Sequence, residues 1–215
     1  MLKYIYRMVS NMIKNVIFDF GNVLGRYMPE EMTAAIVSDP EAAAVICPVV
    51  FDRLYWDKLD YGGITDDEVK AGFCSRLPQE YHADACRIYD CWHTLMPPVP
   101  GMQKLVADIK AAGGRLYLLS NISIGFAEQY HEVEWIRELF SLFDGLVFSG
   151  PIGMAKPHRE IFEYILEHHG LRAEESVFID DTPKNITACE AVGIRGILFD
   201  GDADKVREAL GIVKE

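Results

Sequence analysis

Residues 15–21 read Asn15-Val16-Ile17-Phe18-Asp19-Phe20-Gly21. A β-branched and aromatic run that ends in glycine reads as a buried strand followed by a tight turn. Four later stretches have the same character: RLYLLS at 115–120, DGLVF at 144–148, SVFID at 176–180 and RGILF at 195–199. Amphipathic stretches lie between them. Residues 101–112 stop at Gly113-Gly114, 158–169 at Gly170 and 183–192 at Gly193, where glycine can form the helix C-cap. Strands alternating with helices predict an α/β chain with a Rossmann-like, doubly wound parallel sheet and right-handed crossovers.

Residues 27–97 break that rhythm. They show helical patterns, no strand, and punctuation by Pro29, Pro40, Pro48 and Pro78 before Pro97-Pro98-Val99-Pro100. Thr65-Asp66-Asp67-Glu68 is a capping box, opening a helix with Val69, Phe73 and Leu77 on its apolar positions. A stretch of that length is too long for a structureless loop. It is expected to be a helical cap over the carboxyl edge of the sheet. The expected organisation is therefore a core of 12–26 and 98–215, a cap of 27–97, and an N-terminal extension of 1–11 arising from an upstream start. Residues 1–14 are basic, but Arg7, Ser10 and Asn11 break their apolar run and no small-residue cleavage site follows, so a signal peptide is not expected.

The chain of 215 residues has 21 basic and 33 acidic side chains, a net charge of −12. That field repels phosphate backbones and anionic lipid, so neither nucleic acid nor membrane is an expected partner. A phosphorylated small molecule would need local cations or a metal ion. Half the residues are hydrophobic and no apolar run is long enough to span a bilayer. A chain of this size buries roughly 70% of its unfolded surface and needs no staple to fold. The five cysteines, Cys47, Cys74, Cys86, Cys91 and Cys189, are odd in number and form no C-x-x-C pair. A reducing cytoplasm is expected rather than a disulfide framework. Monomer and homodimer both remain open.

Ligands of open parallel sheets sit beyond the carboxyl ends of the strands. Those ends deliver Asp19, then Ser120 and Asn121, then Lys156 in the following loop, then Asp180 and Asp181. Singly, each reads as a turn former or helix cap. Together they bring three carboxylates, a hydroxyl and an ammonium to one edge. Mg²⁺ takes hard oxygen ligands, and clustered carboxylates repel one another without a cation. An Asp carboxylate can also act as a nucleophile, forming an aspartyl-phosphate whose oxygens a metal and Lys156 would neutralise.

FDFGNVL at 18–24, LLSN at 118–121, GMAKP at 153–157 and FIDDTPKN at 178–185 resemble, in order and spacing, the four motifs of the haloacid dehalogenase-like hydrolase superfamily. The helical insertion resembles a cap of the C1 type in subfamily I. The D-x-G-N-V form is similar to bacterial sugar-phosphate phosphatases and to the N-terminal phosphatase domain of mammalian epoxide hydrolase. The resemblance implies a Mg²⁺-dependent phosphatase of small phosphorylated metabolites. Asp19 would be nucleophile and metal ligand, and Gly21 would offer its carbonyl to the metal. Ser120 and Asn121 would bind the phosphoryl group, with Gly21 and Asn22 beside it. Lys156 would orient Asp19 and neutralise phosphate. Asp181 would be the direct metal ligand, Asp180 direct or through water, and Asn185 a brace.

One position departs from the family pattern. Most relatives carry a second Asp two residues after the nucleophile as general acid and base, and here that residue is Gly21. Its absence costs roughly 10²–10⁴ in rate unless water or another side chain delivers the proton, or the leaving group is an acidic one such as an anomeric hydroxyl. The last option favours sugar 1-phosphates. Two rivals remain: a metal-independent dehalogenase, which would gain nothing from Asp180-Asp181, and a phosphate-binding module without turnover. A receiver domain gathers similar groups, but with its acid pair on the first strand. Tyr55, Trp56 and Tyr61 with Gly62-Gly63 read as helix core and turn, or as a platform for a sugar ring. His93 and His158 read as packing and helix-start residues. Asp200, Asp202 and Asp204 read as a turn plus cap, because no Glu completes a calcium loop.

Overall fold

Each β-branched or aromatic run forms a strand in the computed structural model, which describes residues 6–8 and 13–214. In chain order the strands are β1 (Tyr6–Met8), β2 (Asn15–Phe18), β3 (Arg115–Ser120), β4 (Gly145–Phe148), β5 (Ser176–Asp180), β6 (Arg195–Leu198) and β7 (Ile212–Lys214). Strands β2 to β6 make one parallel sheet in the order β4-β3-β2-β5-β6. The predicted doubly wound sheet is therefore present. Strand β1, inside the expected extension, pairs antiparallel with β7; the remainder of 1–11 lies outside the described residues.

Three strand ends differ from the sequence expectation for local reasons. Asp144 stays out of β4 because its carboxylate accepts from the Leu116 N–H and Lys110, both at 2.8 Å. Asp19 and Phe20 leave β2 because Asp19 Oδ1 accepts the Phe20 N–H at 2.7 Å, which starts the turn. Phe199 also follows its strand, as its N–H bonds the Asp180 carbonyl.

Between β2 and β3 the chain folds as α1 (Pro29–Ile36), α2 (Pro40–Val50), α3 (Arg53–Asp60), α4 (Asp66–Cys74), α5 (His82–Cys91) and α6 (Met102–Ala111). The Thr65–Glu68 capping box opens α4. The helix ends before Leu77, which is still buried after a turn. Helices α7 (Ile124–Gln129), α8 (Glu134–Phe140), α9 (Ser149–Ile152), α10 (Arg159–His168), α11 (Pro183–Glu190) and α12 (Ala203–Ala209) complete the alternation. Asp202 caps α12, accepting from the Asp204 N–H, and Asp200 pairs with Lys205. Among the described residues no helix is long and apolar enough to cross a membrane.

One hydrophobic cluster runs from the sheet face into the insertion, joining Val16, Phe18 and Leu118 to Met32, Ile46, Phe73 and Ile88. Aromatic rings form its joint. Trp56 lies 5.3 Å from Trp92, Trp92 stacks on Phe126 at 5.7 Å, and Phe126 packs 5.1 Å from Phe20. Each such pair adds about 0.5–1.5 kcal/mol beyond simple burial. Phe20 directly follows Asp19, so this packing also fixes the loop that carries it.

Candidate active site

Parallel register sets the site. Phe18 pairs with Leu118 on one side and Ile179 on the other, so Asp19, Ser120 and Asp180 emerge at one edge. Lys156 Nζ stands 2.7 Å from Asp19 Oδ1 and 2.8 Å from Asp180 Oδ2. All three are buried. Burial pushes the Asp19 carboxyl up, Lys156 opposes that push, and Asp180 adds to it. Burial alone would lower Lys156, but the two carboxylates outweigh it and hold the ammonium charged.

Asp180 is saturated with donors. Besides Lys156 it accepts from Asn185 Nδ2 at 3.0 Å and from the Thr182 N–H at 2.8 Å. Asp181 is half-buried and accepts from Asn22 Nδ2 and Thr182 Oγ1, each at 3.2 Å. Asp19, Asp180 and Asp181 each offer an oxygen within 4.8 Å of the others. Three negative charges against the one positive charge of Lys156 leave room for a divalent cation, and the donors are the hard oxygens Mg²⁺ takes.

Two predicted residues spend their side chains on structure. Asn121 Nδ2 donates to the Lys156 carbonyl and its Oδ1 accepts the Lys156 N–H, both at 2.8 Å. Asn22, at φ 56°, holds Asp181 and accepts the Tyr27 N–H at 3.1 Å. Ser120 and Gly21 line the cavity.

That cavity measures about 670 Å³ and has two walls. The sheet edge supplies Asp19, Ser120, Asn121, Lys156 and Lys184. The insertion supplies Arg53, Asp57, Asp60 and Tyr61. A second cavity of about 190 Å³ adjoins it, lined by Tyr27, Trp56, Trp92 and Met96 among others. Arg53, Asp60 and Lys184 carried no sequence signal, because charged residues on a helix read as its solvated face. Trp56 serves both earlier readings: it is buried, donates to the Val50 carbonyl at 2.8 Å, and faces the smaller cavity. Tyr61 is exposed and packs on His158 at 5.9 Å.

The profile of the haloacid dehalogenase-like hydrolases matches residues 13–193. This chain belongs to that family. The chain is thus a hydrolase. It is 27% identical over 184 residues to Sesquiterpene phosphatase astK of Aspergillus oryzae, covering 86% of this chain and 88% of that one. It is 27% identical to the Glyceraldehyde 3-phosphate phosphatase of Methanocaldococcus jannaschii, covering 85% and 83%. In fold it resembles a haloacid dehalogenase-like enzyme of Bacteroides thetaiotaomicron solved with magnesium and inorganic phosphate. That likeness has a TM-score of 0.65 and 22% identity over 88% of this chain and 95% of the other.

Proposed function

We propose that this hydrolase is a Mg²⁺-dependent phosphatase of small phosphorylated metabolites, acting through an aspartyl-phosphate on Asp19. The observation that carries the reading is Lys156 bridging Asp19 and Asp180 beside Asp181, with Asp19 and Lys156 lining a 670 Å³ cavity. Cavities of this size take metabolite-sized ligands. Asp19, Asp181 and the Gly21 carbonyl would hold the ion, with Asp180 direct or through water; when bound it supplies charge against the phosphoryl oxygens. Lys156 orients Asp19 and faces the same oxygens. Ser120 and the N–H of Asn121 bind the phosphoryl group, and Asn121 also fixes Lys156 through its backbone.

Sugar phosphates are the favoured class. The larger cavity presents Arg53, Asp57 and Asp60, groups suited to hydroxyls. A 1-phosphate also has an anomeric leaving group more acidic than an ordinary alcohol, which offsets the absent Asp at position 21. The aromatic cavity favours a second reading, an apolar leaving group such as a prenyl chain, in keeping with the name of the fungal relative. Its 190 Å³ falls below the ~300 Å³ of typical ligand sites, so it ranks second. We place the protein in the cytoplasm on its five unpaired cysteines, with a small-molecule substrate rather than nucleic acid or membrane.

Hydrolysis of an activated aryl phosphate, sugar phosphates and a prenyl phosphate, with Mg²⁺ and with chelator, tests this. Turnover that needs Mg²⁺ and falls roughly 10³-fold or more in Asp19→Asn is expected. Turnover of no ester by a folded protein would support a binding module instead, and chelator-insensitive halide release a dehalogenase.

A further inference from the structure

We propose that Asp60, on α3 of the insertion, is the proton donor and acceptor that the β2 loop lacks at Gly21. This rests on the phosphatase reading above.

Nothing in the fold requires glycine at position 21. Its φ is not positive, and a Cβ built there would meet no atom within 4 Å. The missing side chain leaves open space where the two cavities meet. Gly21, Arg53, Asp60, Ser120, Asn121 and Thr182 line both cavities. Asp60 is therefore at the junction, on the wall facing Ser120 and Gly21.

The other lining carboxyls are committed. Asp19 is held by Lys156, Asp181 belongs to the metal-binding set, and Asp57 is exposed and paired with Arg53. Asp60 is only 6% exposed, and Arg53 stands 3.7 Å from it, beyond hydrogen-bond range. Burial pushes its carboxyl up to about 6, with Arg53 and Lys156 lowering it and Asp57 raising it. That is the range of a group that both gives and takes a proton near neutrality. Tyr27, before α1, also faces it, and Tyr61, His158 and Lys184 line the larger cavity with it.

Asp60 is held firmly. Gly62, at φ +64°, packs so closely that a Cβ would fall 2.5 Å from the Gly150 carbonyl oxygen in α9. The turn ending α3 thus rests on the core backbone, and the Asp52 side chain caps the helix start by accepting the Leu54 N–H.

In the first step an Asp19 oxygen bonds to phosphorus and the bond from phosphorus to the leaving oxygen breaks. The leaving oxygen keeps the electron pair and takes the proton of the Asp60 carboxyl, releasing the alcohol. In the second step water adds to phosphorus, the Asp60 carboxylate takes the water's proton, and the bond from phosphorus to Asp19 breaks to release phosphate.

The test compares kcat/KM for an aryl phosphate and an alkyl phosphate across pH with Mg²⁺, for wild type, Asp60→Asn and His158→Gln. Asp60→Asn should lose roughly 10²-fold or more on the alkyl ester and little on the aryl ester, whose leaving group needs no proton. The fall in the wild-type alkyl rate above about pH 6 should vanish with it. His158→Gln should keep the wild-type ratio of the two esters. Equal losses on both esters at an unchanged melting temperature, an unchanged ratio, or a shift of the ratio in His158→Gln instead would overturn the proposal. Should Asp60→Asn not fold, wild type decides. Its dependence on leaving-group acidity should be steeper at about pH 8 than at about pH 5, and equal slopes would overturn the proposal. Wild type inactive on both esters would sink the phosphatase reading first, and this inference with it.

Discussion

The two walls of the cavity are built differently. On the sheet side, Lys156, Asp19 and Asp180 are buried and paired at 2.7–2.8 Å, and Asp180 takes further donors from Asn185 and Thr182. On the insertion side, Asp60 is buried but its Arg53 partner stands at 3.7 Å, and Arg53 itself is largely exposed. A wall whose charged groups are closely hydrogen-bonded to one another holds one geometry. A wall with a loosely paired buried carboxyl is poised to change protonation state. Binding and nucleophilic attack therefore belong with the sheet edge, and proton transfer and leaving-group choice with the insertion.

The largest expected effect comes from breaking the sheet wall. Lys156→Met leaves two buried carboxylates without their cation, which should cost about 3–5 kcal/mol of stability in chelator and abolish turnover. Thermal unfolding with and without Mg²⁺ measures the first, and Mg²⁺ should restore part of it. A change below about 1 kcal/mol would mean that the pairing is weaker than its geometry suggests.

The next sharpens the contrast by moving the proton donor from one wall to the other. Because Gly21 has open space, Gly21→Asp should fold. It should change alkyl ester hydrolysis little in wild type, yet recover on the order of tenfold or more in Asp60→Asn. A large gain in wild type, with no rescue in Asp60→Asn, would show that no donor stands on the insertion.

The smallest concerns stability. The folded state raises the Asp60 carboxyl from 3.8 to about 6, so it prefers the protonated form more than the unfolded chain does. Asp60 therefore lowers wild-type stability as pH rises from about 4 through 6, a contribution that Asp60→Asn lacks, while the raised Asp19 carboxyl acts alike in both. The variant should be more stable by about 1–3 kcal/mol at neutral pH, with the gap closing below about pH 4. Denaturant unfolding at both pH values checks the sign, and a variant that is less stable at neutral pH would contradict it.

This difference between the walls also explains what could be read from the chain alone. The sheet wall was legible because period and punctuation place Asp19, Ser120 and Asp180 at strand ends, and parallel pairing carries strand ends to one edge. Even there, Asn121 looked like an anion ligand, and only the fold shows its amide clamped on the Lys156 backbone. The insertion wall was opaque. Arg53, Asp57 and Asp60 sit on a short amphipathic helix, where charge ordinarily signals solvent exposure. What fixes the helix carrying Asp60 lies outside it: Trp56 is tied to the Val50 carbonyl, and Gly62 in the following turn packs on Gly150. The pairing of β1 with β7 was equally silent, since it joins the two ends of the chain.

The most direct test of the account is mass spectrometry of the protein quenched in acid during turnover of an aryl phosphate with Mg²⁺. A phosphoryl adduct on the peptide carrying Asp19, absent in Asp19→Asn and longer-lived in Asp60→Asn, is the predicted result. Turnover with no adduct on that peptide, or with the adduct elsewhere, would contradict it.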